Sequence, residues 1–301
     1  MPSKRILLTG SGGQVGTALR TTLEPLGKVL AVSRDELDFA RPAGLGARVA
    51  SMRPDLIVNA AAYTDVEGAE SDEAAAFAVN ADSVDELAKA ARAAGALLLH
   101  YSTDYVFDGC KGSPYVEDDA TRPLSVYGRS KLAGEQAIRA SGCEHLIVRT
   151  SWVYEAQGRN FLLTMLRLGG ERDLVRVVDD QLGSPTWATA LARATAQLLD
   201  ARAGSEPLRA RTRAGELLHL TGAGWATWHA FARAIFDIRQ AAGQRVPMLD
   251  AIASDQFPTR ARRPLDSRLD CGRAERLWNV RLPPWRDSLA DCMAVLREAR
   301  T

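Results

Sequence analysis

Lysine is scarce in this chain of 301 residues: among 38 basic positions it occurs only at Lys4, Lys28, Lys89, Lys111 and Lys131. Arginine fills the rest, so a lysine inside a chemical motif carries weight. A compact ammonium suits a point contact to hydroxyls that a planar guanidinium makes poorly. Cysteine is sparse too, with Cys110, Cys143, Cys271 and Cys292 far apart and no Cys-x-x-Cys pair or histidine at ligand spacing. That argues against both a zinc site and a disulfide framework and leaves buried or bystander thiols. An excess of one charge is missing, since 38 basic residues face 37 acidic ones. This excludes a broad electrostatic footprint for nucleic acid or an anionic membrane. No apolar run reaches the roughly 18 residues that span a bilayer. The N-terminus enters a strand-like run within a few residues, without room for a secretory signal, so a cytoplasmic location is expected. What remains, 46% apolar and 25% charged residues, supplies a large core for one big α/β domain or for a main domain with a smaller partner.

Residues 4–9 read as a short buried strand, followed at once by Gly10-x-x-Gly13-x-x-Gly16 and by an apolar-periodic segment with Val15, Leu19 and Leu23. Strand, glycine turn and helix together form a pyrophosphate cradle. The backbone must come close to the anion at a helix N-terminus, where free N–H groups and the positive dipole end favour it. Further strand-like runs at Val29–Ser33, Leu56–Ala61, Ala96–Ser102 and His145–Thr150 alternate with helical stretches, notably Ser71–Ala94, which ends before Gly95. This alternation predicts a Rossmann-type, doubly wound parallel sheet. After Thr150 the pattern predicts helices near Phe161–Leu168, Ala188–Asp200 and Trp228–Ala241, a strand at Leu174–Val178, and exposed loops at 202–214 and 254–268. The expected organisation is a dinucleotide-binding domain over 1–150, with crossovers after 150 completing the sheet, and a smaller mixed C-terminal substrate-binding lobe over 151–301.

Tyr127 and Lys131 stand four apart in a helical stretch and so share a face. A phenol ionises near pH 10, and a nearby ammonium favours the phenolate, so Lys131 is expected to tune Tyr127 for acid–base work. Tyr101-Ser102-Thr103-Asp104 closes the fourth strand-like run, where open α/β sheets present ligand-binding residues. A hydroxyl there can hydrogen-bond a reacting carbonyl, or serve ordinary turn chemistry. Ser33-Arg34 follows the second run where an acid would bind a ribose 2′-hydroxyl, and instead suits a 2′-phosphate; NADPH is expected to be preferred to NADH. Arg260, Arg262 and Arg263 sit in a Pro-flanked loop that is either a guanidinium partner for a diphosphate or a solvated basic loop.

These residues resemble the extended short-chain dehydrogenase/reductases and, among them, the dTDP-4-dehydrorhamnose reductase family. The likeness runs through Thr9-Gly10 with Gly13-Gln14-Val15-Gly16, Asn59 to Thr64, His100 to Phe107, Val126-Tyr127-Gly128 with Lys131, and Arg149 to Tyr154. It continues through Asn160-Phe161, Asp180-Gln181, Gly183 to Thr186 and Arg263-Pro264 with Ser267. The resemblance implies reduction of a 4-keto dTDP-sugar to dTDP-L-rhamnose. It implies that Gly13, Gln14 and Val15 line the pyrophosphate, Asp38 and Phe39 the adenine side, and Ala62, Tyr63, Thr64 and Tyr101 the path to the nicotinamide. Tyr127 would protonate the C4 oxygen, Thr103 would hydrogen-bond it, Lys131 would hold the ribose, and Asp104 and Trp152 would contact the deoxysugar. Some relatives pair across a magnesium ion held by glutamates; the corresponding positions here are Ala18 and Thr189, so a monomer or a metal-independent homodimer is expected. Other readings are a non-catalytic dinucleotide-binding regulatory subunit that resembles this family, a nucleotide-sugar epimerase or dehydratase, and a reductase that gives the C4-epimeric 6-deoxysugar.

Overall fold

The computed structural model describes residues 4–200, 212 and 215–298. Its centre is a six-stranded parallel sheet built from β1 (Arg5–Thr9), β2 (Lys28–Ala31), β3 (Leu56–Asn59), β4 (Leu97–Thr103), β5 (His145–Thr150) and a later strand, Glu216–His219. The order runs from that later strand through β5, β4, β3 and β1 to β2. β3, β4 and β5 are buried along their whole length, as strands covered by helices on both faces must be. Helices α1 (Gln14–Thr22), α2 (Leu45–Ser51), α3 (Val66–Ala69), α4 (Glu73–Phe77), α5 (Ser83–Ala94) and α6 (Val126–Ser141) provide the crossovers. One face carries Ile6, Leu8, Val58, Leu99 and Val148; the other carries Leu7, Ile57, Leu98 and Ile147, the period of two that a doubly covered strand requires.

The expected helix Ser71–Ala94 is interrupted. Between α4 and α5 the backbone widens into a π turn at Ala78–Asp82. There Asn80 accepts from the Tyr63 N–H at 2.9 Å and donates to the Tyr63 carbonyl and to Ser130 Oγ, each at 3.0 Å. The wider turn aims one buried amide at two neighbouring segments, a use to which π turns at sites are often put. The expected stop holds: Gly95 caps α5 in the left-handed region at φ 61°.

Beyond β5 the chain forms β6 (Val153–Tyr154), α7 (Phe161–Glu171), β7 (Leu174–Val178), β8 (Leu182–Gly183), β9 (Thr186–Trp187) and α8 (Ala188–Leu199). It then adds β10 (Glu216–His219), β11 (Ala226–Thr227), α9 (Trp228–Ala241), β12 (Met248–Ile252), α10 (Gly272–Trp278) and α11 (Trp285–Glu298). The strand expected at Leu174–Val178 exists, but it is not part of the central sheet; it pairs in parallel with β12. β10, paired with β5, takes the sixth place instead. Neither β10 nor β12 stands out in the sequence, because each is short. Of the two expected loops, 202–214 lies outside the described residues apart from Thr212. Residues 254–268 are not simply exposed: Ala261, Asp266 and Ser267 are buried, because the segment runs back along β8 through the Leu182–Asp266 bridge.

Candidate active site

The glycine turn is built by contact as well as by conformation. Gly10 adopts φ 66°, and a Cβ on Gly16 would lie 2.1 Å from the Gly10 carbonyl oxygen, so the helix can start this close to the strand only with glycine there. Over Gly12 the surface is open, while a Cβ on Gly13 would come within 3.3 Å of the Gly10 carbonyl oxygen. A cavity of about 770 Å³ begins at the turn and extends past Ser33, Arg34, Asp38 and Phe39 to Ala62 and Tyr63. A second cavity of about 420 Å³ shares Gly13, Ala60 and Ala62 with it and continues over Gln14, Val15, Thr64, Tyr101, Thr103, Asp104, Tyr127, Lys131 and Trp152. The two form one groove across the carboxyl ends of β1, β3 and β4, long enough and glycine-floored where a dinucleotide's pyrophosphate needs backbone contact. Sequence-expected cofactor residues therefore converge on it, from Gly10 and Gly13 at the turn to Thr64 at the inner end, while Gly16 packs behind the turn.

Arg34 is exposed at the outer end and is paired to Asp38 at 3.4 Å, while the Ser33 N–H donates to Glu36 Oε2 at 2.7 Å. Arg20, in the last turn of α1, lines the same cavity and was not legible as a site residue, because only the fold sets it beside Ala31–Arg34 after β2. At the inner end Gln14 is held from the C-terminal half of the chain, its Oε1 accepting from Asn160 Nδ2 at 2.9 Å.

Tyr127 and Lys131 sit on α6, whose N-cap Ser125 accepts from the Gly128 N–H. A Cβ on Gly128 would lie 2.3 Å from the Tyr105 carbonyl oxygen, so this glycine lets the helix, and with it Tyr127, press against the segment after β4. Thr103 ends β4; its hydroxyl donates to Asp104 Oδ1 at 3.1 Å and lies beside the Tyr127 phenol. Burial pushes the phenol up to about 12, with the Thr103 hydroxyl pulling the other way. The expected downward tuning by Lys131 is not what the structure holds. Lys131 Nζ donates instead to the Tyr101 carbonyl at 2.6 Å and meets His100 Nε2 at 3.3 Å. Burial lowers the amine to about 8, opposed by the Glu135 carboxylate one turn along. Tyr127 is thus held as a neutral phenol, loaded with the proton that a reduction requires.

Asp104 is 2% exposed, and burial raises its carboxyl to about 7 against the opposing Ser267 and Thr103 hydroxyls. A carboxyl raised in the fold from 3.8 keeps its proton where the unfolded chain has lost it, so stability falls as pH rises from about 4 to 7. The Asp104→Asn variant should flatten that stretch of a pH–Tm profile; an unchanged slope would show that other groups set it.

Trp152 is one of three described non-glycine residues at positive φ, at 45°. It is held there by Trp228, whose ring stacks on it at 3.5 Å and 6°, and by Gly183, where a Cβ would fall within 2.3 Å of the indole. The two indoles wall the inner cavity. Trp228 was not legible as a site residue, because only the fold brings α9 under β6. The arginine loop goes elsewhere. The Arg260 N–H and Arg263 Nη2 donate to the Glu67 carboxylate at 2.8 and 2.9 Å, and Arg260 Nη1 reaches Ser71 at 2.5 Å. The guanidinium that does line the inner cavity is Arg159, which follows Gly158 in the loop before Asn160 and has no ion-pair partner among the described residues.

A glycine-floored dinucleotide groove, running to a half-buried phenol with a lysine one turn further along its helix, defines a Rossmann-type oxidoreductase of the short-chain kind. Residues 4–298 match the family described as the RmlD substrate binding domain. A dTDP-4-dehydrorhamnose reductase of Burkholderia thailandensis is 45% identical over 96% of this chain and 98% of its own, and one of Escherichia coli K12 is 44% identical over 93% and 94%. The crystal structure of dTDP-4-dehydrorhamnose reductase from Bacillus anthracis in complex with NADP is 32% identical, covers 97% of this chain and 99% of its own, and superposes with a TM-score of 0.87. The chain belongs to the dTDP-4-dehydrorhamnose reductase family.

No helix among the described residues is long and apolar enough to cross a membrane. At the two positions that the resemblance tied to a magnesium bridge, Ala18 packs against the core and Thr189 donates its hydroxyl to Glu155 at 2.7 Å.

Proposed function

We propose that the protein reduces the C4 ketone of dTDP-4-dehydro-L-rhamnose with NADPH, giving dTDP-L-rhamnose. The observation that carries this reading is the convergence of Tyr127, Thr103, Asp104 and the Trp152–Trp228 wall on the inner end of the dinucleotide groove. NADPH, when bound, supplies the hydride to the ketone carbon. Gly10, Gly13, Gln14, Val15 and Gly16 hold its pyrophosphate, Asp38 and Phe39 its adenosine, Ser33 and Arg34 its 2′-phosphate, and Ala62, Tyr63, Thr64, Tyr101 and Lys131 its inner half. Tyr127 gives its proton to the C4 oxygen, and the Thr103 hydroxyl hydrogen-bonds the same atom. Asp104 bonds a sugar hydroxyl while the indole of Trp152 covers the apolar face of the 6-deoxy ring. Arg159, which lines the inner cavity where Arg260 and Arg263 do not, is the guanidinium for the substrate diphosphate. Residues 1–150 with β10 carry the cofactor and 151–301 mainly the substrate. Ala18 and Thr189 leave no carboxylate pair for a magnesium bridge, which fits a monomer or a metal-independent dimer.

The test is NADPH oxidation with dTDP-4-dehydro-L-rhamnose and identification of the sugar formed. Absence of turnover, or a cofactor that stays bound and is regenerated, overturns the reading. NADPH is expected to give the higher kcat/KM, and Arg34→Ala to reduce it by roughly tenfold with NADH little changed. Equal use of both cofactors by the wild type removes the role given to Arg34.

A further inference from the structure

The buried polar chain behind Lys131 has a direction that its geometry determines. Thr9 Oγ1 donates to Asn59 Oδ1 at 2.6 Å, and the backbone N–H of Ala61 donates to the same oxygen at 3.1 Å. A backbone N–H can only donate, so the Asn59 amide cannot be flipped: its oxygen faces Ala61 and its NH₂ faces His100. That NH₂ lies 2.9 Å from His100 Nδ1, which must therefore accept. His100 is fully buried, and burial, reinforced by Lys131, drives its pKa well below the ordinary value, so the ring is neutral and carries its one proton on Nε2. Nε2 faces Lys131 Nζ at 3.3 Å. An ammonium has no lone pair to receive that proton, whereas a free amine has one and keeps two N–H groups, one for the Tyr101 carbonyl at 2.6 Å.

We propose that Asn59 and His100 are positioning residues that favour the free-amine form of Lys131 in the cofactor-free pocket, so that it gives up its proton more readily than an ordinary lysine. Of the other charged or titratable groups nearby, Glu135 on α6 favours the Lys131 ammonium, Tyr127 and Asp104 line the same cavity, and Arg149 from β5 holds the Glu135 carboxylate. Arg149 is bound to Glu135 at 2.8 and 2.6 Å and so offsets the pull of that carboxylate toward the ammonium. The Thr9–Asn59–His100 chain starts at the strand end that leads into the glycine turn, which makes the proton state of Lys131 a property of the sheet rather than of its helix alone. The proposal builds on the assignment of Lys131 to the site but is tested without substrate or cofactor, so its failure leaves the reductase reading standing.

The chain has four histidines and five lysines, few enough for direct observation by ¹⁵N NMR of the cofactor-free protein. Assignments would use His100→Gln and Lys131→Met. The expected result is a His100 ring protonated at Nε2 and bare at Nδ1 at neutral pH, and a Lys131 amine that titrates well below the other four lysines. In Asn59→Asp the carboxylate accepts from Nδ1–H, the tautomer inverts, Nε2 becomes an acceptor, and Lys131 should lose acidity by tenfold or more. A wild-type His100 protonated at Nδ1, or a Lys131 that titrates with the other lysines, overturns the proposal. So does a folded Asn59→Asp protein with an unmoved Lys131; should that variant fail to fold, the two wild-type measurements decide.

Discussion

Replacing Tyr127 by phenylalanine is expected to lower kcat for ketone reduction by about 10² to 10⁴, the range that a positioned general acid contributes, while NADPH binding stays nearly unchanged. The split follows from where the phenol lies. It stands at the inner end of the groove with Thr103 beside it, away from the glycine turn that holds the pyrophosphate, and its ring packs edge-on to Tyr105 at 5.9 Å. Phenylalanine keeps that packing and removes only the hydroxyl. Burial holds the phenol near 12, so the proton is present across the whole working range, and activity should not fall on the acid side through Tyr127. Steady-state rates and fluorescence titration with NADPH measure the two quantities separately. A Tyr127→Phe protein that still turns over within a few-fold of wild type would assign the proton to another group, and a large loss of NADPH affinity would make Tyr127 a binding residue.

The largest expected effect on stability comes from Glu135, one helical turn beyond Lys131. Its carboxylate is 1% exposed and is gripped by Arg149 Nε and Nη2 while it accepts from Ser102 Oγ at 2.6 Å. Arg149, 2% exposed, lies over the Phe107 ring at 5.1 Å. Removing one member of such a pair strands the other as an uncompensated buried charge. Glu135→Leu should therefore destabilise the protein by about 3–5 kcal/mol, lowering Tm by roughly ten degrees. Replacing both partners, as Glu135→Leu with Arg149→Met, removes the stranded charge and should recover most of the loss. Thermal unfolding of the two single variants and the double variant checks this. Additive losses in the double variant would mean that the pair is not the unit of stabilisation.

The two halves of the molecule differ in how much of them could be read in advance, and the reason is distance along the chain. β1, the glycine turn and α1 occupy adjacent residues, so their pattern is local; Tyr127 and Lys131 lie on one helix, so their spacing fixes a shared face. The runs that became β3, β4 and β5 are apolar over most of their length and buried throughout, because both sheet faces are covered. The break at Ala78–Asp82 was hidden, because the surrounding alanines favour a continuous helix and only Tyr63 and Ser130, brought in by the fold, draw Asn80 out of it. β10 and β12 were hidden for a similar reason: four or five residues gain strand character from the neighbour they pair with.

Composition, the glycine spacing and the tyrosine–lysine interval were enough to define a dinucleotide-dependent reductase on a parallel sheet, because those features need no partner distant in sequence. The tertiary structure alone decided which charges are free and which are spent. It bound the Arg263 guanidinium to Glu67 and the Arg260 guanidinium to Ser71, left Arg159 at the pocket, stacked Trp228 on Trp152, and turned Lys131 toward Tyr101 and His100 instead of the phenol. A side chain's chemistry depends on its neighbours within a few ångströms, and for a buried group those neighbours come from strands and helices far apart in the sequence.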